Sequence, residues 1–341
     1  MKKNITNIVE KLASHESYKD LYHEHRYGVP LPSNEVLLQI IDLLRGIVFP
    51  GYYGTSSINT DTLEYHIGVD IEQLQSLLVT QIEAGLSFYN FEDENVVFAA
   101  YNQSTVSNEI RHMAEDRAEK FIQTLPRLRR ILATDVIAAF NGDPAAKNYG
   151  EIISCYPIIK ELTIYRMAHE LWNLEVPLIP RMLTEIAHSE TGIDIHPGAT
   201  IGRRCFIDHG MGIIIGETTE IGDDVTIYQG VTLGGTGKDT GKRHPTLGNR
   251  VMISSGAKVL GPFKVGDDSK IGAGSVVLKE VPPRCTVVGI PGTIVKRNGQ
   301  NLQDLNQVDL PDPVAVEIEC LRRRIVTLEN RLREENKHED L

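Results

Sequence analysis

The sequence is poor in the features that mark secreted, metal-scaffolded or membrane-spanning proteins. Its four cysteines, Cys155, Cys205, Cys285 and Cys320, stand too far apart to form a CxxC pair or another metal-ligand spacing. Neither a disulfide framework nor a structural zinc site is expected, and the thiols read as reduced. No stretch approaches the roughly 18 apolar residues that a membrane span requires. The opening MKKNITNIVEKL meets Glu10 and Lys11 where a signal peptide needs an unbroken apolar run, so a cytoplasmic location is expected. Excess positive charge is missing too. With 35 Lys and Arg against 46 Asp and Glu, the net charge is −11, which argues against nucleic acid or an anionic membrane as the main partner. A local basic site for an anionic cofactor is compatible with that average.

What is present is an ordinary globular composition, 41% hydrophobic and 24% charged, in a chain of 341 residues that can bury a substantial core. Three regions differ in texture. Residues 1–190 read as an α-helical domain. In SNEVLLQIIDLLRGIV, Val36, Leu37, Ile40, Ile41 and Leu44 recur at helical spacing, and Ser33 predicts an N-cap. DIEQLQSLLVTQIEAGLSFY and RAEKFIQTLPRLRRILATDVIAAF behave similarly, with Pro126 expected to interrupt the second. EIISCYPIIKELTIYRMAHELW is expected to form a further helix.

Over residues 191–297 the helical period gives way to a period of six. Branched apolar residues stand at Ile195, Ile201 and Ile207, then at Ile215, Ile221, Ile227 and Leu233, then at Leu247, Ile253, Val259, Val265, Ile271 and Val277. The next residue is often small or acidic, as at Gly202, Asp208, Gly222 and Gly266. Four positions on, another small or apolar residue recurs, as at Ala199, Cys205, Val225 and Ser269. This is the hexapeptide signature of a parallel β-helix, in which each short strand points one apolar side chain into a prism. A β-sandwich would alternate with period two and turn every 8–12 residues. The predicted fold class is therefore α+β: a helical N-terminal domain, a parallel β-helix and a C-terminal helical tail.

Two interruptions break the repeat. Two extra residues enter at DHGMG and eight at GGTGKDTGKRHPT. A solenoid accommodates insertions only as outward loops, so functional residues are expected there. In the tail, residues 298–341, Val314, Ile318, Leu321, Ile325, Leu328 and Leu332 follow steps of four and three. They read equally as a short coiled-coil seam or as one amphipathic helix packed on its own chain.

The β-helical region also concentrates polar residues: Asp194 and His196, Asp208 and His209, Arg243 and His244. Asp194 and His209 lie fifteen positions apart, most of one coil, which predicts neighbours on successive coils. A carboxylate beside an imidazole fixes its tautomer and stabilises the imidazolium, as a general base for an alcohol requires. His196 and His169 are expected to be structural.

Taken in order on this repeat, DIHP, DHGMG, GGTGK and RHP resemble the serine acetyltransferase family. The resemblance is strong over residues 140–297, with GDPAA and YRMAHELW upstream, and loose before that. It implies a left-handed β-helix and transfer of an acetyl group from acetyl-CoA to L-serine, the first step of cysteine biosynthesis, without a metal. By this resemblance His209 is the general base and Asp194 its partner. Asp143 and Asp208 receive the substrate ammonium, Arg243 pairs with its carboxylate, and His244 helps to orient it. Acetyl-CoA is expected along a groove between neighbouring prisms, touching Gly235, Thr236, Met252, Ser255, Lys270 and Ala273. The family also implies a homotrimer, with a dimer of trimers left open, and L-cysteine as feedback inhibitor. Many members end in an isoleucine that engages O-acetylserine sulfhydrylase; this chain ends KHEDL, with Leu341 last, and that complex is not expected.

Rival readings are an O-acetyltransferase for another alcohol, a γ-type carbonic anhydrase and a non-catalytic scaffold. Arg243 and Asp143 have no partner on a sugar. Homoserine differs from serine by one methylene, worth only about 1–3 kcal/mol in discrimination. His196, His209 and His244 offer the three imidazoles that the zinc site of the anhydrase needs, but Asp194, Asp208, Arg243 and GGTGK have no role there. A scaffold has no need of Asp194 and His209.

Overall fold

The computed structural model describes residues 2–19, 21–22, 29–54, 58–88, 103–237, 240–297, 318 and 321–328. Helices α1 (Lys2–Leu12), α2 (His15–Tyr18), α3 (Asn34–Val48), α4 (Leu63–Phe88), α5 (Gln103–Gly142), α6 (Tyr149–Cys155), α7 (Pro157–Asn173) and α8 (Ile179–Thr191) come first. Ser33 caps α3 as expected, its hydroxyl accepting from the Val36 N–H at 3.5 Å. The α3 stripe of Leu37, Ile40, Ile41 and Leu44 is buried.

Two helix expectations need correction. Pro126 does not interrupt α5, which runs through it for 40 residues. A proline inside a helix costs roughly 3 kcal/mol, and here Phe121, Leu125, Leu128 and Leu132 are buried on both sides of it. Tertiary packing of that stripe outweighs the lost hydrogen bond. Conversely, EIISCYPIIKELTIYRMAHELW is not one helix. Pro157 disfavours helical backbone at the residue before it, and Tyr156 sits extended at φ −81°, ψ 121° between α6 and α7.

Gly192, left-handed at φ 72°, ends α8, and the chain then winds into a three-faced prism. The first face stacks β1 (Ile193–Ile195), β4 (Ile213–Ile215), β7 (Thr232–Gly234), β10 (Lys258–Leu260) and β13 (Val276–Val277). The second stacks β2 (Thr200–Ile201), β5 (Glu220–Ile221), β8 (Thr246–Leu247) and β11 (Lys264–Val265). The third stacks β3 (Phe206–Asp208), β6 (Thr226–Tyr228), β9 (Met252–Ile253), β12 (Lys270–Ile271) and β14 (Cys285–Val288). All of these pairings are parallel; β15 (Thr293–Arg297) folds back antiparallel on β14. Every apolar position of the six-residue repeat, from Ile195 to Val277, is at most 7% exposed.

The edge between the second and third faces turns on charged residues. Arg204, Asp224, Arg250, Asp268 and Arg284 all take φ between 54° and 61°, so unlike charges alternate up the prism. Arg204 pairs with Asp224 at 2.8 Å and Arg250 with Asp268 at 2.6 Å. The helical domain is bolted to the first coil through Arg166 of α7. Its guanidinium grips Asp135 of α5 at 2.9 and 3.1 Å and donates to the carbonyls of Ile201 and Gly202. Burial pushes the Asp135 carboxyl up to about 6 while Arg166 pulls it down, so the pair is ionic at neutral pH.

In the tail, Ile318 and residues 321–328 are helical, with Ile318, Leu321, Ile325 and Leu328 exposed. Val314 and Leu332 of the heptad pattern lie outside the described residues. Among those residues no helix is long and apolar enough to cross a membrane.

Candidate active site

The edge between the third and first faces carries the first group of site residues. On the later coils this corner turns on Gly230, Gly256, Gly274 and Gly289, with φ of 67° to 94°. On the first coil the DHGMG insertion replaces it. His209 itself is left-handed at φ 57°, a conformation that costs a non-glycine residue about 1–2 kcal/mol, and strain of this kind gathers at functional sites. The two extra residues push the corner outward, and the His209 side chain is 74% exposed with Nε2 4.0 Å from Asp208 Oδ1.

Asp143 comes to the same edge from the end of α5. Gly142 permits this landing, since a Cβ there would lie 2.4 Å from the Phe206 ring. Asp143 Oδ1 accepts from the Ala145 N–H at 2.8 Å and Oδ2 accepts from the Tyr156 hydroxyl. These two bonds, Tyr156 first, hold its carboxyl below the usual range. Asp143, Tyr156, Asp208 and His209 line one cavity of about 320 Å³, together with Cys155, Pro157, Ile158 and Ile207. Tyr156 was not legible as a site residue: in sequence, an aromatic before proline signals only a helix boundary.

Asp194 occupies the middle of β1, half-buried, and the residue beside it on the next coil is Ile214. It makes no hydrogen bond to His209. The expectation that these two are neighbours on successive coils is corrected: both belong to the first coil, because the insertion lengthens it to the twenty positions that separate Asp194 from Ile214.

Behind Asp194 lies a buried acid that sequence reading missed. Glu161 of α7 is fully buried, and its Oε1 has no hydrogen-bond partner. Its Oε2 lies 2.8 Å from Thr191 Oγ1, which is also 2.8 Å from the Ala187 carbonyl and accepts from the Ile193 N–H at 3.1 Å. One hydroxyl proton cannot serve both Glu161 and Ala187, so a protonated Glu161 completes the chain. Burial, with the nearby Asp194 charge adding to it, pushes this carboxyl up to about 8. The folded protein therefore holds a proton that the unfolded chain releases above the ordinary 4.5, and stability contributed by the neutral acid is lost as pH rises towards 8. Glu161→Gln, which cannot ionise, should be more stable than the parent above pH 8. At ~1.4 kcal/mol per pKa unit the gain is on the order of 5 kcal/mol above pH 8, shrinking as pH falls and gone below 4.5. Denaturant melts across this pH range check it, and a pH-independent difference would overturn the neutral-acid assignment.

The edge between the first and second faces carries the second group. Gly235 and Thr236 leave β7, and Arg243 and His244 return the long insertion to β8. His244 is 8% exposed, and Thr218 donates its N–H to Nδ1 at 3.1 Å, which leaves the proton of the neutral ring on Nε2. Burial lowers its pKa and keeps it neutral. The ring lies against Gly216, where a Cβ would come within 2.2 Å of it, so only glycine fits. Arg243 donates from Nη2 to Glu217, whose carboxyl is held below the usual range first by that bond. His196 lies on this edge with its ring against Trp172, which agrees with a structural part; His169 bonds the Pro197 carbonyl at 2.8 Å.

Within one chain these two groups do not meet. They flank the first face, three strand residues or about 10 Å wide at ~3.3 Å per residue. Met252, Ser255, Lys270 and Ala273 fall on the third face and on the His209 edge, two and three coils further along. Gly235 and Thr236 fall on the Arg243 edge. Three histidines offered as a zinc set are divided in the same way, His209 from His196 and His244. Among the described residues no group of three His, Cys, Asp or Glu side chains is arranged to hold a metal ion.

The comparisons with known proteins agree with this architecture. A family model, the bacterial transferase hexapeptide (six repeats), matches residues 244–279. The chain is 52% identical to a serine acetyltransferase of Bacillus subtilis over 204 residues, 60% of this chain and 94% of that one. It is 50% identical to one from Mycobacterium tuberculosis over 57% of this chain and 85% of the relative. Among solved structures, serine acetyltransferase isoform 3 of Entamoeba histolytica in complex with cysteine matches with TM-score 0.61 and 31% identity, over 87% of this chain and 97% of that one. The Brucella abortus serine acetyltransferase in complex with coenzyme A matches with TM-score 0.51 and 29% identity, over 76% and 96%. With relatives 50–52% identical over 85–94% of their own length, the chain belongs to the serine acetyltransferase family and is an acyltransferase.

Proposed function

We propose that the protein transfers the acetyl group of acetyl-CoA to the hydroxyl of L-serine by general-base catalysis, in sites completed between two copies of the chain. The observation that carries this reading is the division of charge between the two edges. Acids and the outward histidine stand on one; the arginine and a neutral histidine donor stand on the other. Serine presents one ammonium, one carboxylate and the hydroxyl to be activated. It is too small to bridge the first face of a single prism, so the arginine edge of a second prism must close on the histidine edge of the first. A homotrimer supplies three such pairings by one rotation.

In this reading Asp143 and Asp208 receive the ammonium. Arg243 exchanges its bond to Glu217 for the substrate carboxylate, with His244 Nε2–H beside it. His209 takes the proton from the serine oxygen as that oxygen attacks the thioester carbonyl. The tetrahedral intermediate then expels the CoA thiolate, which receives the proton from the imidazolium. Asp194 would stabilise that imidazolium, and the exposed His209 ring must swing towards β1 for it to do so; catalytic hydrogen bonds often tighten only with substrate bound. The acetyl-CoA reading is supported by the bare glycine edge. A Cβ at Gly256 or Gly274 would meet nothing within 4 Å, so the backbone leading away from His209 is open to a narrow pantetheine arm, and Lys270 stands beside it for a phosphate. L-cysteine carries the same ammonium and carboxylate as serine and would occupy both edges as an inhibitor.

The test is CoA-thiol release from acetyl-CoA with L-serine, L-homoserine or a galactoside as sole acceptor. Release with serine is expected to exceed the others by at least about tenfold, the size of one misplaced methylene. Preferential release with another acceptor would move the substrate assignment while leaving the acyl-transfer chemistry in place.

A further inference from the structure

We infer that Tyr156 is a positioning residue for the amino-acid substrate: its hydroxyl fixes the Asp143 carboxylate in the orientation that receives the ammonium group. The inference rests on the proposed role of Asp143 and adds to it a residue that never touches the reacting atoms.

Tyr156 is held from three sides. Pro157 bars it from helical backbone. Its N–H donates to the Ile152 carbonyl at 3.1 Å, closing α6, and its carbonyl accepts from the Ile159 N–H at 3.1 Å, opening α7. A residue that ends one helix and starts the next has little freedom to move, so its ring projects into the cavity from a fixed base. Asp143 is also anchored in its backbone, its N–H donating to the Ala139 carbonyl at 3.0 Å and its carbonyl accepting from the Ala146 N–H at 3.2 Å, but its side chain leaves that anchor for the cavity. It follows the end of α5, half-buried just before an exposed turn, and its carboxylate is held by the Ala145 N–H on one oxygen and the Tyr156 hydroxyl on the other. Each oxygen keeps a second lone pair for the substrate. The Tyr156 bond therefore orients the carboxylate without using up its capacity to bind.

The phenol suits this part because it stays protonated. Its bond to Asp143 pushes it up to about 12, so across the working pH range it remains a donor. The carboxylate answers in kind: Tyr156 is the first reason that Asp143 is held below the usual range, and the His209 charge acts in the same direction. The remaining charges felt at Tyr156 come from Glu151 and Asp208, and neither bonds to it.

The experiment compares Tyr156→Phe, Asp143→Asn and the double variant in steady-state kinetics from pH 5 to 9, with thermal melts as a folding control. Tyr156→Phe should raise KM for L-serine by roughly tenfold, the usual scale for a hydrogen bond to a charged group. Its kcat should change less than about threefold, because the base and the thioester are untouched. The rise in KM should be the same from pH 5 to 9, because the Asp143 carboxyl, ordinarily at 3.8 and held lower by this bond, is ionised throughout. Asp143→Asn should raise KM further, and adding Tyr156→Phe to it should change little. An unchanged KM in Tyr156→Phe, with KM raised in Asp143→Asn, overturns the inference and leaves the Asp143 reading standing. No change in Asp143→Asn overturns both, and the failure then lies with Asp143. Should Tyr156→Phe melt early, 3-fluorotyrosine at position 156 provides the second measurement. Its more acidic hydroxyl donates a stronger bond and should change KM for L-serine at least about twofold with kcat unchanged, and an unmoved KM counts against the inference.

Discussion

His209→Ala is expected to lower kcat by roughly 10²–10⁴-fold, the range over which a positioned base accelerates proton transfer. The loss should appear in kcat and kcat/KM together, because the proton moves only in the transition state. Folding should be little affected: the ring is exposed, and alanine at φ 57° adds only modestly to the backbone strain that histidine already carries. Thermal melting and size-exclusion chromatography separate this outcome from misfolding. The two neighbouring acids can be told apart in the same assay. Asp194→Asn should reduce kcat, since it removes the charge that would stabilise the imidazolium, whereas Asp208→Asn should act mainly on KM for serine. Near-normal turnover in His209→Ala would remove it as the base and direct attention to the other ionisable groups of the cavity, Asp143, Cys155, Tyr156 and Asp208.

A second large effect concerns the composite site. Arg243→Ala should lose nearly all turnover at moderate serine, because it strips the carboxylate partner from one edge of the prism. His209→Ala loses turnover from the opposite edge. If each site takes one edge from each of two chains, the two inactive variants repair one another when unfolded together, mixed equally and refolded. Statistical mixing in a cyclic trimer restores an intact pair at roughly one interface in four, hence roughly a quarter of parental activity. A site contained within one chain can recover nothing by mixing. Activity that stays at the level of the separate variants would therefore sink the shared-site proposal while leaving the chemistry of each residue open.

Among the described residues, the prism could be read almost residue by residue before any coordinates. Period-six burial is a local rule: each strand of two or three residues points one side chain inward, so Ile195 to Val277 declare themselves. Both insertions could be read for the same reason, since a stacked core admits no extra residues. The helical region was less transparent. Pro126 and Pro157 look alike in sequence, yet one is carried through a helix by a buried stripe and the other breaks the chain at Tyr156. Propensity sees the proline and not the packing that decides its effect.

The site divides along the same line. Residue types that carry charge to an amino acid, Asp143, Asp208, His209 and Arg243, were visible in the sequence with their motifs. Which of them share an edge was not, because edge membership depends on where each coil closes, and the DHGMG insertion sets that for Asp194 and His209. Tyr156 and Glu161 were invisible for a stronger reason. Their parts come from a hydroxyl reaching Asp143 thirteen positions upstream and a carboxyl buried against Thr191 thirty positions downstream. The amino-acid order determined the prism and the chemistry available to it. Only the tertiary fold decided which groups meet, because burial and proximity are properties of the closed coils and packed helices and not of neighbours along the chain.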